Sequence, residues 1–195
     1  LNKQKSDRYE YIFPNFNYEK YLYTNSNING DLTFNSRGFQ KNYNANSDES
    51  ILINDFKYSS FSKINSNIDG LITNYNLLLR NLNSSTENSD TFKEGDNQQL
   101  LSTILIGAEF PLKKENENSI SLLSPKISAR YSPNLTKNNS NLNKTINYNN
   151  IYALDRIDDS AVEGGGSITF GAEYSLDTEG DQRFFNLSFA NIIRA

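Results

Sequence analysis

Cysteine, histidine, methionine and tryptophan are all missing from this chain of 195 residues. Without cysteine there is no disulfide framework and no thiol chemistry. Without histidine the commonest general acid or base is gone, and the usual zinc and transition-metal ligand sets go with it. A serine triad would have no imidazole to use. Long apolar runs are missing too: nothing approaches the roughly 18 apolar residues of a membrane helix. From Leu1 onward there is no charged segment leading into an apolar one, so no secretion signal is read. A basic stripe is also lacking. The 19 Lys and Arg are interspersed with 23 Asp and Glu for a net charge of -4, which leaves no footprint for nucleic acid. Only 36% of residues are hydrophobic and mean hydropathy is -0.67, so a large conventional core would be hard to fill.

Aromatic residues are well represented. Twelve Tyr and twelve Phe argue against plain disorder. About one residue in six is Asn, with Ile, Lys, Tyr and Ser frequent, as an AT-biased genome produces. The same bias accounts for the Asn-x-Ser/Thr triplets at Asn83, Asn134, Asn138, Asn143 and Asn186, which carry no functional weight.

The strongest pattern is alternation. From Ile168 the residues Phe170, Ala172, Tyr174 and Leu176 fall on one face of a strand, and Ser167, Thr169, Gly171, Glu173 and Ser175 on the other. Leu123, Pro125, Ile127, Ala129 and Tyr131 oppose Ser124, Lys126, Ser128 and Arg130. Between 100 and 112 the even face carries Leu100, Ile104, Ile106, Ala108, Phe110 and Leu112, while Leu101 and Leu105 interrupt an odd face that holds Thr103, Gly107 and Glu109. From 71 to 80, Leu71, Tyr75, Leu77 and Leu79 oppose Asn74, Asn76 and Arg80. Segment 27 to 37 sets Ile28, Leu32 and Phe34 against Asp31, Asn35 and Arg37. Strands are expected near 9–18, 27–37, 50–58, 68–82, 99–112, 120–131, 145–155, 166–176 and 183–193, with long polar connections at 83–98 and 132–147 and shorter ones at 113–119 and 177–182. Helical periodicity is nowhere comparable.

A soluble sandwich also alternates. Three features favour a membrane barrel: strands of ten or more residues, unequal polar loops, and aromatic residues near strand ends, as at Tyr58, Phe110, Tyr131, Tyr152 and Phe185. The expected fold is all-β, an antiparallel up-and-down sheet forming part of a large transmembrane β-barrel. Low hydropathy fits, because half of each strand would face a wet lumen. Ile127, Tyr131, Ile168, Phe170, Tyr174 and Leu176 are expected to face lipid, pointing outward from a single curved sheet. Arg37, Asn74, Asn76, Arg80, Glu109, Lys126, Arg130 and Glu173 are expected on the lumen wall. The bland reading of the cations there, ordinary charges balanced by Asp31, Glu109 and Glu173, outweighs a role in binding anions. The chain stops at Asn191-Ile192-Ile193-Arg194-Ala195 just after an alternating segment, and is read as a fragment of eight or nine strands.

Few motifs suggest chemistry. Asp155, Asp158, Asp159 and Glu163 make an acidic turn, but their spacing matches no EF-hand, and a solvated barrel turn is the better reading. Gly164, Gly165 and Gly166 precede no helix, so they mark a turn or bulge at a strand start, without the helix terminus that a phosphate cradle needs. No two carboxylates are fixed as a glycosidase pair. No enzyme, cofactor or metal site is expected.

The cassette Asn150-Ile151-Tyr152-Ala153-Leu154-Asp155-Arg156, followed by Glu163-Gly164-Gly165 and the strand with Gly171, resembles the Asn-Leu-Phe-x-Leu-Asn/Asp-Arg...Glu-x-Gly...Tyr-Gly stretch in the barrel of the LPS-assembly outer-membrane protein family (LptD/OstA). Other segments resemble that family in the same order: Tyr11 to Tyr18 its Leu-Pro-x-x-x-Tyr strand, Gly30-Asp31-Leu32-Thr33-Phe34 its Gly-x-Leu-x-Phe strand, Phe110-Pro111-Leu112 its Pro-Leu turn, and Ser124 to Pro133 its Pro-Arg/Lys...Ser-Pro strand. The chain departs from it after Arg156, reading Ile157-Asp158-Asp159-Ser160-Ala161-Val162 where many relatives have Ser-Gly-x-Asp-Arg. It also lacks the cysteines that join barrel to periplasmic domain in some relatives. The resemblance implies a mid-barrel section of the outer-membrane translocon that inserts lipopolysaccharide into the outer leaflet. Its partners would be lipopolysaccharide, a plug lipoprotein, a periplasmic bridge protein and outer-membrane lipid. Asn150, Tyr152, Leu154, Asp155, Arg156, Glu163, Gly164 and Gly165 would be a family-marker turn. Another outer-membrane barrel, a porin or a nutrient receptor, is the first alternative. A soluble β-sandwich adhesin or carbohydrate-binding module is the second.

Overall fold

A computed structural model describes residues 10–25, 29–43, 47–64, 67–89, 92–134, 146–157, 162–178 and 182–195. The described residues hold strands and turns and no helix. The long strands are β1 (Glu10–Asn25), β2 (Gly30–Tyr43), β3 (Ser47–Ser60), β5 (Ile72–Glu87), β6 (Gly95–Glu109), β8 (Ser119–Ser132), β9 (Gly165–Thr178) and β10 (Gln182–Arg194). They pair in chain order, each antiparallel to the next, as one up-and-down sheet. Two short strands lie off this path: β4 (Lys63–Ile64) pairs with β5, and β7 (Leu112–Asn116) continues β6 along β8 after Phe110 and Pro111. Among the described residues the sheet is open, with β1 and β10 at its edges.

Register turns the sequence alternation into two continuous faces. Ile168 pairs with Ala129 and Phe170 with Ile127. Ile106 pairs with Ala129 and, on its other side, with Tyr75. A shift of one residue in any of these pairs would send a whole strand's apolar set to the other side. On the apolar face Ile127 is 52% exposed, Ile168 48%, Phe170 40% and Phe189 59%. The described residues place no second layer over this face. Tyr174 and Leu176, nearer the β9–β10 turn, are half-buried; the Tyr174 ring lies 6.2 Å from that of Phe185.

Three segments differ from the sequence reading. The expected strand at 145–155 is a series of turns. Asn150 accepts a hydrogen bond from the Asn147 backbone at its side chain, and the Asn147 carbonyl takes the amides of Asn150 and Ile151. Asn and Asp side chains compete in this way with a strand's ladder. Tyr152 therefore belongs to no strand end or aromatic girdle. The expected long connection at 83–98 is mostly strand: β5 and β6 stay paired from Leu82 and Gln99 out to Thr86 and Gly95. Its Ser, Thr and Asn residues read as loop, yet backbone pairing needs no apolar side chain. In this outer part polarity inverts. Asn81, Asn83 and Ser85 lie on the side that carries Leu77 and Leu79, while Ile51, Ile53 and Leu82 are buried on the other side with Phe39 and Phe92 against them. The third segment, 113–119, holds β7 and a two-residue turn at Glu117 and Asn118.

Candidate functional site

The polar face carries a layer of its own. Between β8 and β9, residues 146–157 and 162–164 fold back over the sheet. Leu154 and Val162 of this segment are buried against Leu78 of β5 and Leu105 of β6, with Leu101 beside them. Burying side chains of this size contributes about 1.5 to 3 kcal/mol each. Leu101 and Leu105, which interrupt the polar face in the sequence, are thus the seat of this lid.

Two guanidinium groups fasten the lid. Arg156 is 1% exposed. Its Nε donates to Glu163 Oε2 at 2.6 Å, Nη2 to Ser167 Oγ at 2.9 Å, and Nη1 to Thr169 Oγ1 at 3.4 Å and to the Ile151 carbonyl at 3.3 Å. Arg130, 4% exposed on β8, donates to the carbonyls of Glu163 at 2.7 Å and Leu154 at 3.3 Å, and to Thr103 Oγ1 at 3.5 Å. The second carboxylate oxygen of Glu163 accepts Arg194 Nε of β10 at 2.7 Å. One carboxylate thus joins lid, β9 and the edge strand. Burial opposes ionisation of Glu163, but the hydrogen bonds from Arg156 and Arg194 and the charge of Arg130 outweigh it and hold the carboxyl below its usual range.

The cassette residues divide by task. Asn150 forms the turn, Leu154 fills the seat, Arg156 and Glu163 make the clasp, and Gly165 enters β9 with φ +79°, a region that favours glycine. Gly164 lies between clasp and strand. Tyr152 lies over β9 at Gly171, where an added Cβ would fall 2.6 Å from the Tyr152 hydroxyl and collide with the Phe189 carbonyl. Asp155 edges a cleft of about 390 Å³. Asp158 and Asp159 of the acidic turn lie outside the described residues. Among the described residues no group of three or more His, Cys, Asp or Glu is placed to hold a metal ion. The carboxylate of Glu163 is already engaged by two arginines.

All eight residues expected on a lumen wall share this face by register. They fall into four sets. Arg37 and Arg80 both reach Asp55, Arg80 through Nε at 2.7 Å and Nη2 at 2.8 Å, Arg37 at 3.0 Å. Lys126 lies between Glu173 at 3.1 Å and Glu109 at 3.8 Å, and Tyr148 of the lid donates to Glu173 at 3.2 Å. Asn74 and Asn76 stand on β5, and Arg130 belongs to the clasp. The balancing acids differ in part from those the sequence suggested. Asp55 is the partner of two arginines, and Asp31 has a buried carboxylate oxygen without a hydrogen-bond partner. Only the neighbouring strand's register brings Asp55 to Arg80, which a reading of single strands misses.

Besides the 390 Å³ cleft over β1, β2, β3 and β5, a cleft of about 220 Å³ lies over β6 and β8, bordered by Asn74, Glu109, Lys126, Ser128 and Tyr152. Asn74 Oδ1 and the Tyr152 hydroxyl are buried there without hydrogen-bond partners. Nothing in this arrangement pairs a nucleophile with a base. It is a polar wall with charges matched across strands and a clasped lid on top. No protein-family model matches the chain, and no curated protein matches it.

Proposed function

We propose that this chain is part of the wall of an outer-membrane β-barrel, and that the barrel is the translocon component that places lipopolysaccharide in the outer leaflet. The observation carrying the membrane reading is the single antiparallel sheet whose apolar face has no layer over it among the described residues, while the opposite face is polar and partly covered. Exposing that much apolar surface to water is unfavourable at about 25 cal/mol per Å², and large uncovered apolar surfaces mark a contact with protein or membrane. The long strands run 13 to 16 residues, more than the ~9–11 that a tilted strand needs to cross a bilayer. The polarity inversion at the outer ends of β3 and β5 suits strands that continue past the membrane into water. A β-sandwich would need a second sheet over Ile168 and Phe170.

The assignment to lipopolysaccharide assembly rests on the ordered resemblance of the 150–165 cassette and its flanking strands. In that reading the chain does no chemistry. Its apolar face meets lipid, its polar face surrounds saccharide and a plug lipoprotein, and a periplasmic bridge protein delivers the lipid. An open porin fits less well, because the polar face that would line its channel is partly covered by a lid.

Depleting the complete protein from its host tests the assignment. Newly made lipopolysaccharide, followed by surface labelling, is expected to stop reaching the cell surface, and the protein is expected to copurify with a lipoprotein in its lumen. Normal arrival of lipopolysaccharide under depletion would sink the assignment and leave a different outer-membrane barrel.

A further inference from the structure

We infer that residues 146–157 and 162–164, between β8 and β9, are a built-in plug that closes the polar side of the wall to small hydrophilic solutes, an inference that rests on the barrel reading above. Three independent features point to it.

The first is the seat. A bare water-lined wall has no use for apolar side chains, yet Leu78, Leu101 and Leu105 form a strip on the polar face, and Leu154 and Val162 cover it. The wall is shaped for an apolar occupant, and this segment of the chain supplies one.

The second is what the buried guanidiniums recognise. Arg130 and Arg156 donate to the carbonyls of Ile151, Leu154 and Glu163, which belong to the lid. A cation set to attract passing anions would keep its donors open to the lumen; these are spent on the lid's own backbone and on Glu163. Fastening spans the wall, with Arg130 on β8, Ser167 and Thr169 on β9, and Arg194 on β10 all engaged.

The third is position. The lid stands between the two clefts: Leu154 and Asp155 border the larger, Tyr152 the smaller. Both clefts carry charged and amide side chains, joined in the smaller one by Ile72, Leu105 and Ile127, and each ends at the lid. With the lid in place, a water-filled path along the face is interrupted at its apolar middle. Removing it would join the clefts over the strip from Leu78 to Leu105.

The test uses the complete protein in phosphatidylethanolamine/phosphatidylglycerol vesicles, with membrane insertion scored by flotation and permeability by swelling in arabinose and in stachyose. Two variants are compared with the parent: one with residues 146–157 replaced by a Gly/Ser linker, and Leu154→Asp/Val162→Asp, which leaves every strand residue unchanged. The parent is expected to float and swell slowly, and both variants to float and swell at least tenfold faster in arabinose. Floating variants that swell no faster than the parent would overturn the plug while leaving the membrane reading intact, as would a parent already swelling at the variants' rate. A parent that stays with the soluble fraction would overturn the membrane reading, and the plug with it.

Discussion

Replacing Glu163 by alanine isolates the clasp from the rest of the fold. The change removes the one carboxylate that Arg156 contacts among the described residues, while that guanidinium stays 1% exposed and in the field of Arg130. Removing one partner of a buried ion pair typically costs about 3 to 5 kcal/mol, because the remaining charge is left uncompensated. Here the loss should fall at the low end. Arg156 keeps Ser167 Oγ, Thr169 Oγ1 and the Ile151 carbonyl, and each hydrogen bond involving a charged group is worth roughly 1.5 to 3 kcal/mol. The lost contact to Arg194 adds little, since that side chain is half exposed. A figure of about 3 kcal/mol corresponds to local opening roughly a hundredfold more frequent. Hydrogen exchange read by mass spectrometry on peptides covering 146–157 measures it, with peptides from β5 and β9 as internal references. The alanine variant should speed exchange of the lid by about that factor and leave the references unchanged. Glu163→Gln, which keeps an acceptor, should do so much less. A change below threefold in the lid would show that Leu154 and Val162 hold it without the clasp. Equal acceleration in β9 would show that the lid has no separate opening.

Other outcomes follow from the same geometry. Asp55→Ala leaves the bidentate partner Arg80 buried without its carboxylate, costing about 3 kcal/mol or more; Asp55→Ala/Arg80→Met should recover most of that in a denaturation series, and additive losses would contradict the pairing. Gly171→Ala puts a Cβ against the Phe189 carbonyl and the Tyr152 hydroxyl, so the β9–β10 pairing should weaken by about 1 to 3 kcal/mol, and an unchanged unfolding midpoint would be evidence against that close approach. Because the Glu163 carboxyl titrates below its ordinary value of 4.5, its stabilising share is complete above that pH and is lost as pH falls through the lower, folded value. Protease cleavage within 146–157 should therefore stay flat from pH 7 to 5 and rise only below about 4.5; a rise beginning near pH 6 would contradict this.

Much of the wall was legible because a strand's two faces are written two residues apart. The split at Leu123 to Tyr131 and at Ile168 to Leu176 specifies both the strands and their apolar and polar faces, and Tyr75, Leu77 and Leu79 do so for β5. What failed was non-local. Asp55 meets Arg80 across 25 residues of sequence, and Glu163 is held by Arg194 across 31. Residues 145–155 read as a strand because Ile151 to Leu154 is a short apolar run of the kind a strand presents, while the asparagines that fold it into turns are common throughout the chain. One signal was available. In the run Leu77-Leu78-Leu79 both faces are apolar, and with Leu101 and Leu105 this calls for cover on the polar side too.

Contact between the apolar face and lipid can be measured directly. Because these 195 residues hold no cysteine, single cysteines placed in turn from Ser167 to Leu176 in β9 of the vesicle-reconstituted protein can carry spin labels with no background from this part of the chain. Collision with oxygen, which concentrates in lipid, and with a water-soluble nickel complex should then alternate with period two. Labels at Ile168 and Phe170 should favour oxygen, and their neighbours at Thr169 and Gly171 should not. Nickel accessibility at Ile168 and Phe170 as high as in an exposed water-facing turn would contradict it.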